Sequence, residues 1–156
     1  MGDETGKLVE GETQRKFPLE DGTVYSRRKG FEPFCVPPIE DYVPLVGEEK
    51  IEELQKLAAK LKGVKVKEIN SAATGGGVAE MLYSQVPFVN QLGLEDEWRV
   101  MSGTESFYRL TKNIHNLLQG KRGTLTPEMI SEYYSVLKEN ADIYAEDYKN
   151  YSPDIT

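Results

Sequence analysis

The chain has 156 residues, 38% of them hydrophobic and 29% charged, with a formal net charge of -7 and a sequence pI of about 4.9. An acidic chain with scattered lysines and arginines lacks the basic face that nucleic acid or an anionic membrane surface requires. A single cysteine, Cys35, and a single histidine, His115, exclude an internal disulfide, a cysteine-rich zinc site and a multi-histidine metal site.

No apolar run reaches transmembrane length and the start of the chain carries no signal-peptide pattern, so a cytoplasmic location is the default expectation. Carboxylate-bound magnesium stays open, with nothing pointing to it. Residues 1–38 are polar, broken by glycine and proline, and read as an irregular or partly extended N-terminal arm. Val43 to Val46 reads as a short pairing segment. From Glu48 the spacing of Ile51, Leu54, Leu57, Ala58 and Leu61 predicts an amphipathic helix, stopped at Gly63.

"VKVKEIN" alternates apolar and polar residues and predicts a strand over Val64 to Asn70. A second helix follows, carried by Val78, Met81, Leu82, Val86 and Val89 to about Leu92, with Pro87 expected to kink or shorten it. "EWRVMSG" predicts a second strand, about Glu97 to Ser102. A third helix spans Glu105 to Leu118. Thr126 and Pro127 mark the start of a fourth, with Ile130, Tyr133, Tyr134, Leu137, Ala141 and Tyr144 as its apolar stripe. "YSPDIT" reads as the beginning of another strand. The order is that of an α/β protein with a mostly parallel, Rossmann-like sheet and flanking helices.

Between the first predicted strand and the second helix lies "SAATGGG". Glycine tolerates positive φ and lets a ligand approach the backbone, and the loop feeds a helix N-terminus, which attracts anions. A tight strand-to-helix turn would explain the glycines equally well. The loop is no P-loop, since no Gly-Lys-Ser/Thr follows. It fails as a dinucleotide fingerprint because Glu80 stands where the third glycine belongs. On the third helix, Tyr108, Lys112, His115 and Gln119 share one stripe. They could meet sugar hydroxyls, although a solvated flank is the commoner reason for such a pattern.

Three stretches in order, "EDYVPLVGEEKIEELQKLAAKLKGVKVKEINSAATGGGVAEML", "LGLEDEWRVMSG" and "TKNIHNLLQG", resemble the N-terminal part of the trehalose glycosyltransferring synthases. These are retaining glycosyltransferases of two Rossmann-like domains, the GT-B fold. The resemblance runs from about Glu40 to the end of the chain; residues 1–38 show none. It implies an acceptor-side domain over 39–156, ending before its last strands. It also implies a missing C-terminal nucleotide-binding domain, supplied in cis or in trans.

The implied reaction transfers glucose from a nucleoside-diphosphate glucose to glucose, giving trehalose, with no tightly bound cofactor or metal. By the same resemblance Gly75, Gly76 and Gly77 lie near acceptor and donor diphosphate. His115, Asn116 and Gln119, with a contribution from Lys112 or Glu105, contact sugar. No catalytic residue is implied. The resemblance also allows a homodimer, and it makes the isolated chain an inactive fragment. The alternatives are a stand-alone sugar-binding or regulatory module that pairs with a separate C-terminal half, and a remnant without function.

Overall fold

Five α-helices and a three-stranded sheet make up the computed structural model, which describes residues 18–156. The strands are β1 (Thr23–Tyr25), β2 (Lys65–Asn70) and β3 (Glu95–Val100). The helices are α1 (Val43–Val46), α2 (Glu48–Ala58), α3 (Gly77–Gln91), α4 (Glu105–Leu118) and α5 (Pro127–Asn150). β3 lies in the middle of the sheet. It runs parallel to β2, from Lys65 opposite Glu95 to Asn70 opposite Val100, and antiparallel to β1. The sheet is thus mixed, where a mostly parallel one was expected.

β1 belongs to the stretch read as an irregular or partly extended arm. Residues 1–17 of that arm lie outside the described residues, but part of the rest is built into the core: Val24, Tyr25 and Phe31 are buried, whereas residues 27–30 and most of 32–38 are exposed. Gly22 makes the entry possible. Its φ is +78, and a Cβ there would stand 2.4 Å from the Val100 carbonyl oxygen, the strand that Gly22 itself pairs with through Val100 N. Only glycine fits so close an approach at positive φ.

Val43 to Val46 does not pair as a strand. It forms α1, with Pro44 in its first turn, where a missing N–H costs nothing and the fixed φ suits a helix. α3 continues through Pro87, which is buried within it. β3 begins two residues earlier than the alternation suggested. Its parallel register with β2 starts at Glu95, and Ser102 is drawn off the strand by Asn140, whose amide binds both Ser102 N and Ser102 O (2.9 and 2.8 Å). Beyond β2 the tail adds one parallel bridge, Val66 to Ile155, with Lys67 N donating to Ile155 O at 2.9 Å.

The two faces of the sheet differ because strand side chains alternate. On one face Trp98 and Val24 meet Ala79, Leu82 and Val86 of α3 in an apolar cluster, edged by Phe34 and Tyr83. On the other, Lys67, Glu97 and Arg99 are all buried and face α5. α5 answers with Asp147, not with the apolar stripe read from its sequence. Ile130 and Tyr134 are exposed, while Val136 and Asn140 are the helix's buried residues. A sheet face that carries buried charges needs counter-charges, and α5 is rotated accordingly.

Candidate functional site

The carboxyl ends of β2 and β3 hold the glycine loop and the start of α4, side by side. Asn70, the last residue of β2, fixes the loop at its root. Its carbonyl accepts Met101 N (2.9 Å), its side-chain oxygen accepts Trp98 Nε1 (2.8 Å) and its side-chain nitrogen donates to Ala72 O (2.8 Å). Further along, the Tyr83 hydroxyl donates to Ala73 O at 2.7 Å. The loop is therefore tied down up to Ala73 and open beyond it.

Gly75 has φ +76, which only glycine adopts freely. Gly76 is extended and Gly77 begins α3. A Cβ at any of the three would meet nothing within 4 Å. Close strand-to-helix packing therefore does not account for Gly76 and Gly77: the space beside them is open. No side chain caps α3, and its first intrahelical bond is Glu80 N to Gly76 O. The amides of Gly77, Val78 and Ala79 precede that bond and are left for water or a ligand, at the positive end of the helix dipole.

α4 is fixed at its start. Thr104 caps it by accepting Phe107 N at 3.1 Å, and Thr104 and Ser106 both donate to Glu132 of α5. Tyr108, one member of the polar stripe, spends its hydroxyl on Met101 O (3.0 Å) and so serves the fold. The other three are uncommitted. Lys112, His115 and Gln119 are exposed and Asn116 is half-buried. Among the described residues none of their side chains makes a hydrogen bond or ion pair. Glu105 is held by Arg109 in a surface pair.

The structure does not bring the two groups of candidates into contact. No hydrogen bond, ion pair or ring contact joins Gly75–Gly77 to Lys112, His115, Asn116 or Gln119. At 1.5 Å per residue, His115 lies about 15 Å along α4 from Glu105, and Gln119 about 21 Å.

The layer beneath α5 is what sequence reading missed. Arg28 grips Glu97 with two nitrogens (3.0 and 3.1 Å). Arg99 binds Asp147 at 2.7 Å, Lys67 binds Asp147 and approaches Glu97 at 3.6 Å, and Ser26 donates to Glu97. Burial raises the Glu97 carboxyl pKa, but hydrogen bonds from Arg28 and Ser26 and the Lys67 charge more than reverse that, leaving it below the ordinary carboxylate value. Asp147 follows the same pattern: burial raises it, and Lys67 and Arg99 bring it below normal. Its signal in the sequence is faint. Val136, Asn140, Tyr144, Asp147 and Tyr151 do recur at helical spacing, but as a stripe of mixed polarity that no hydrophobicity search selects.

Among the described residues no group of three or more His, Cys, Asp or Glu side chains is placed to hold a metal ion, and no helix is long and apolar enough to cross a membrane.

Residues 68–152 match the family model of the trehalose synthase N-terminal domain. The chain is 43% identical over 104 residues to a trehalose synthase of Pyrococcus horikoshii, covering 66% of this chain and 25% of that protein. It is 43% identical over 106 residues to one of Rubrobacter xylanophilus, covering 68% and 26%. A trehalose phosphorylase of Grifola frondosa is 37% identical over 84 residues, covering 53% and 12%. The chain thus spans about a quarter of the length of the synthases it matches.

Proposed function

The chain belongs to the trehalose synthase N-terminal-domain family, and on that premise we propose that it forms the acceptor-side part of a retaining, GT-B glycosyltransferase that makes trehalose from a nucleoside-diphosphate glucose and glucose. The observation that carries this reading is the extent of the family match. Residues 68–152 take in both the open glycine loop and the free end of α4. Its relatives are trehalose synthases and trehalose phosphorylases, names that share the disaccharide and differ in the reaction. That pattern suits a domain that holds sugar while another part of the protein determines the departing group.

In this reading the two surfaces have different tasks. The Gly75–Gly77 backbone and the unpaired amides of α3 face the donor diphosphate, where the helix dipole favours the negative charge that develops as the bond to glucose breaks. His115, Asn116 and Gln119, with Lys112, hold hydroxyls of the acceptor. The donor's nucleotide half requires a second domain in cis or in trans, and the chain by itself is expected to transfer no sugar.

Glucose titration into the 156-residue chain, followed by amide chemical shifts, tests the assignment. Shifts should concentrate at 112–119, and His115→Ala or Gln119→Ala should weaken them severalfold with the fold intact. Glucose shifts that are identical in both variants would remove these residues from the acceptor site.

A further inference from the structure

At the opposite, amino-terminal edge of β2 and β3 lies a cleft of about 570 Å³, bounded by Arg27, Arg28, Lys65, Glu95, Asp96 and Tyr151, with Asn90 and Asn150 at its margins. It exists because β1 is short. The β1 pairing stops at Trp98, so Asp96, paired with Val66 of β2 on one side, has no strand on the other. Asn90 of α3 takes the strand's place: its amide donates to Asp96 O (2.9 Å) and its oxygen accepts Asp96 N (3.2 Å).

The backbone of Asp96 is thereby satisfied and its side chain is not. Asp96 is 2% exposed, its Oδ1 is buried without a partner, and among the described residues no group donates to either carboxyl oxygen. A buried acceptor with no donor costs free energy unless something else supplies one.

Most other polar groups around the cleft are already used. Arg28 is committed to Glu97 and Arg27 to Glu32. The Tyr151 hydroxyl donates to Glu95 O. What remains is Asp96, the Glu95 carboxylate, the side-chain oxygen of Asn150, whose nitrogen donates to Glu146 O, and the ammonium of Lys65, which lies 5.2 Å from the Tyr151 ring centroid and makes no hydrogen bond or ion pair among the described residues. Among the charged side chains of the cleft that make no hydrogen bond or ion pair, two carboxylates, Asp96 and Glu95, stand against one cation, Lys65.

We propose that this cleft binds a small organic cation bearing a primary ammonium group, whose N–H donors meet Asp96. An anion would face two free carboxylates. A sugar would want the Tyr151 ring for stacking, but Arg28 and Lys67 already lie 4.6 and 4.9 Å from its centroid. A divalent ion would need a ligand cluster that the described residues do not form. The charged groups facing Asp96 sharpen the expectation. Burial first, then Glu68 and Glu97, push its carboxyl up to about 7, so an ammonium ligand meets the ionised form only above neutrality.

The test uses ethylammonium chloride and the full 156-residue chain. It reads the amide shifts of 94–97 and the emission of Trp98, the sole tryptophan, which is fully buried two residues from Asp96 on the same strand face. Binding should saturate and should weaken about tenfold from pH 8 to pH 6, as a group titrating near 7 loses its charge. It should vanish in Asp96→Asn. Lys65→Met, which removes the competing cation, should tighten it about threefold, the scale of one unit charge several ångströms away in water. An equal response to tetramethylammonium, which has no N–H, overturns the proposal, as does a response that follows ionic strength alone or survives in Asp96→Asn.

Discussion

α3 and α5 cover opposite faces of the same three strands in chemically different ways. α3 sits on Trp98, Val24 and their neighbours, a dry cluster held by area. α5 sits on Lys67, Glu97 and Arg99 through Asp147, a layer held by paired charge. An apolar seat tolerates loss of a methyl group in proportion to the cavity left behind. A buried ion-pair seat has little tolerance, because removing one member strands the others. The two helices also carry different parts of the candidate site. α3 opens with the glycine loop, whereas α5 holds the start of α4 through Glu132 and the loop after β3 through Asn140.

Substitutions on either side can break this contrast. Asp147→Ala leaves the buried Lys67 with only Glu97 at 3.6 Å and the buried Arg99 with only Asp21 at 3.5 Å, so it should cost about 3–5 kcal/mol and loosen α4 with α5, read by denaturant unfolding and amide exchange. A cost below about 1 kcal/mol would show that the layer contributes little to holding α5. Leu82→Ala on the apolar side should cost about 2–5 kcal/mol with α4 exchange unchanged.

Acid sharpens the same comparison. Asp147 and Glu97 sit below the ordinary carboxylate value. Their stabilisation is therefore complete above the unfolded pKa of about 4 and is lost as pH falls through their lower folded values. Asp96 runs the other way. Its folded pKa of about 7 lies above the unfolded one, so the native state holds a proton that the unfolded chain has lost. Stability then declines as pH rises from about 4 to 7. Asp96→Asn should raise the melting temperature at pH 8 and leave it unchanged near pH 4; a gain of equal size at both would remove the titration as its cause. The smallest effect expected is at the start of α5. There Thr126 accepts Met129 N, and Thr126→Ala should cost about 1 kcal/mol.

The sequence made the α3 side readable and left the α5 side dark, for the same physical reason. Apolar periodicity and caps carry their meaning in single residues. Glu105 to Leu118 is the observed α4, Thr126 and Pro127 open α5 as read, and β2 ends at Asn70. Buried charge has no such local mark. Lys67 and Asp147 lie 80 residues apart, and nothing near either says that they pair. β1 was hidden because three residues are too few to show alternation. In the candidate site, the glycine loop was legible as a feature and ambiguous as a cause; only the empty space beside Gly76 and Gly77 argues against tight packing. The polar stripe of α4 was legible too, but not that Tyr108 is spent on Met101 O while Lys112, His115 and Gln119 stay free.

The most direct test replaces the matching quarter of the Rubrobacter xylanophilus trehalose synthase with residues 40–156 of this chain. The chimera is then assayed for trehalose from a nucleoside-diphosphate glucose and glucose. An acceptor-side domain predicts trehalose formation that is lost when His115 and Gln119 are both changed to alanine. A chimera that folds and binds the nucleotide sugar yet makes no trehalose, beside an active parent, would contradict it.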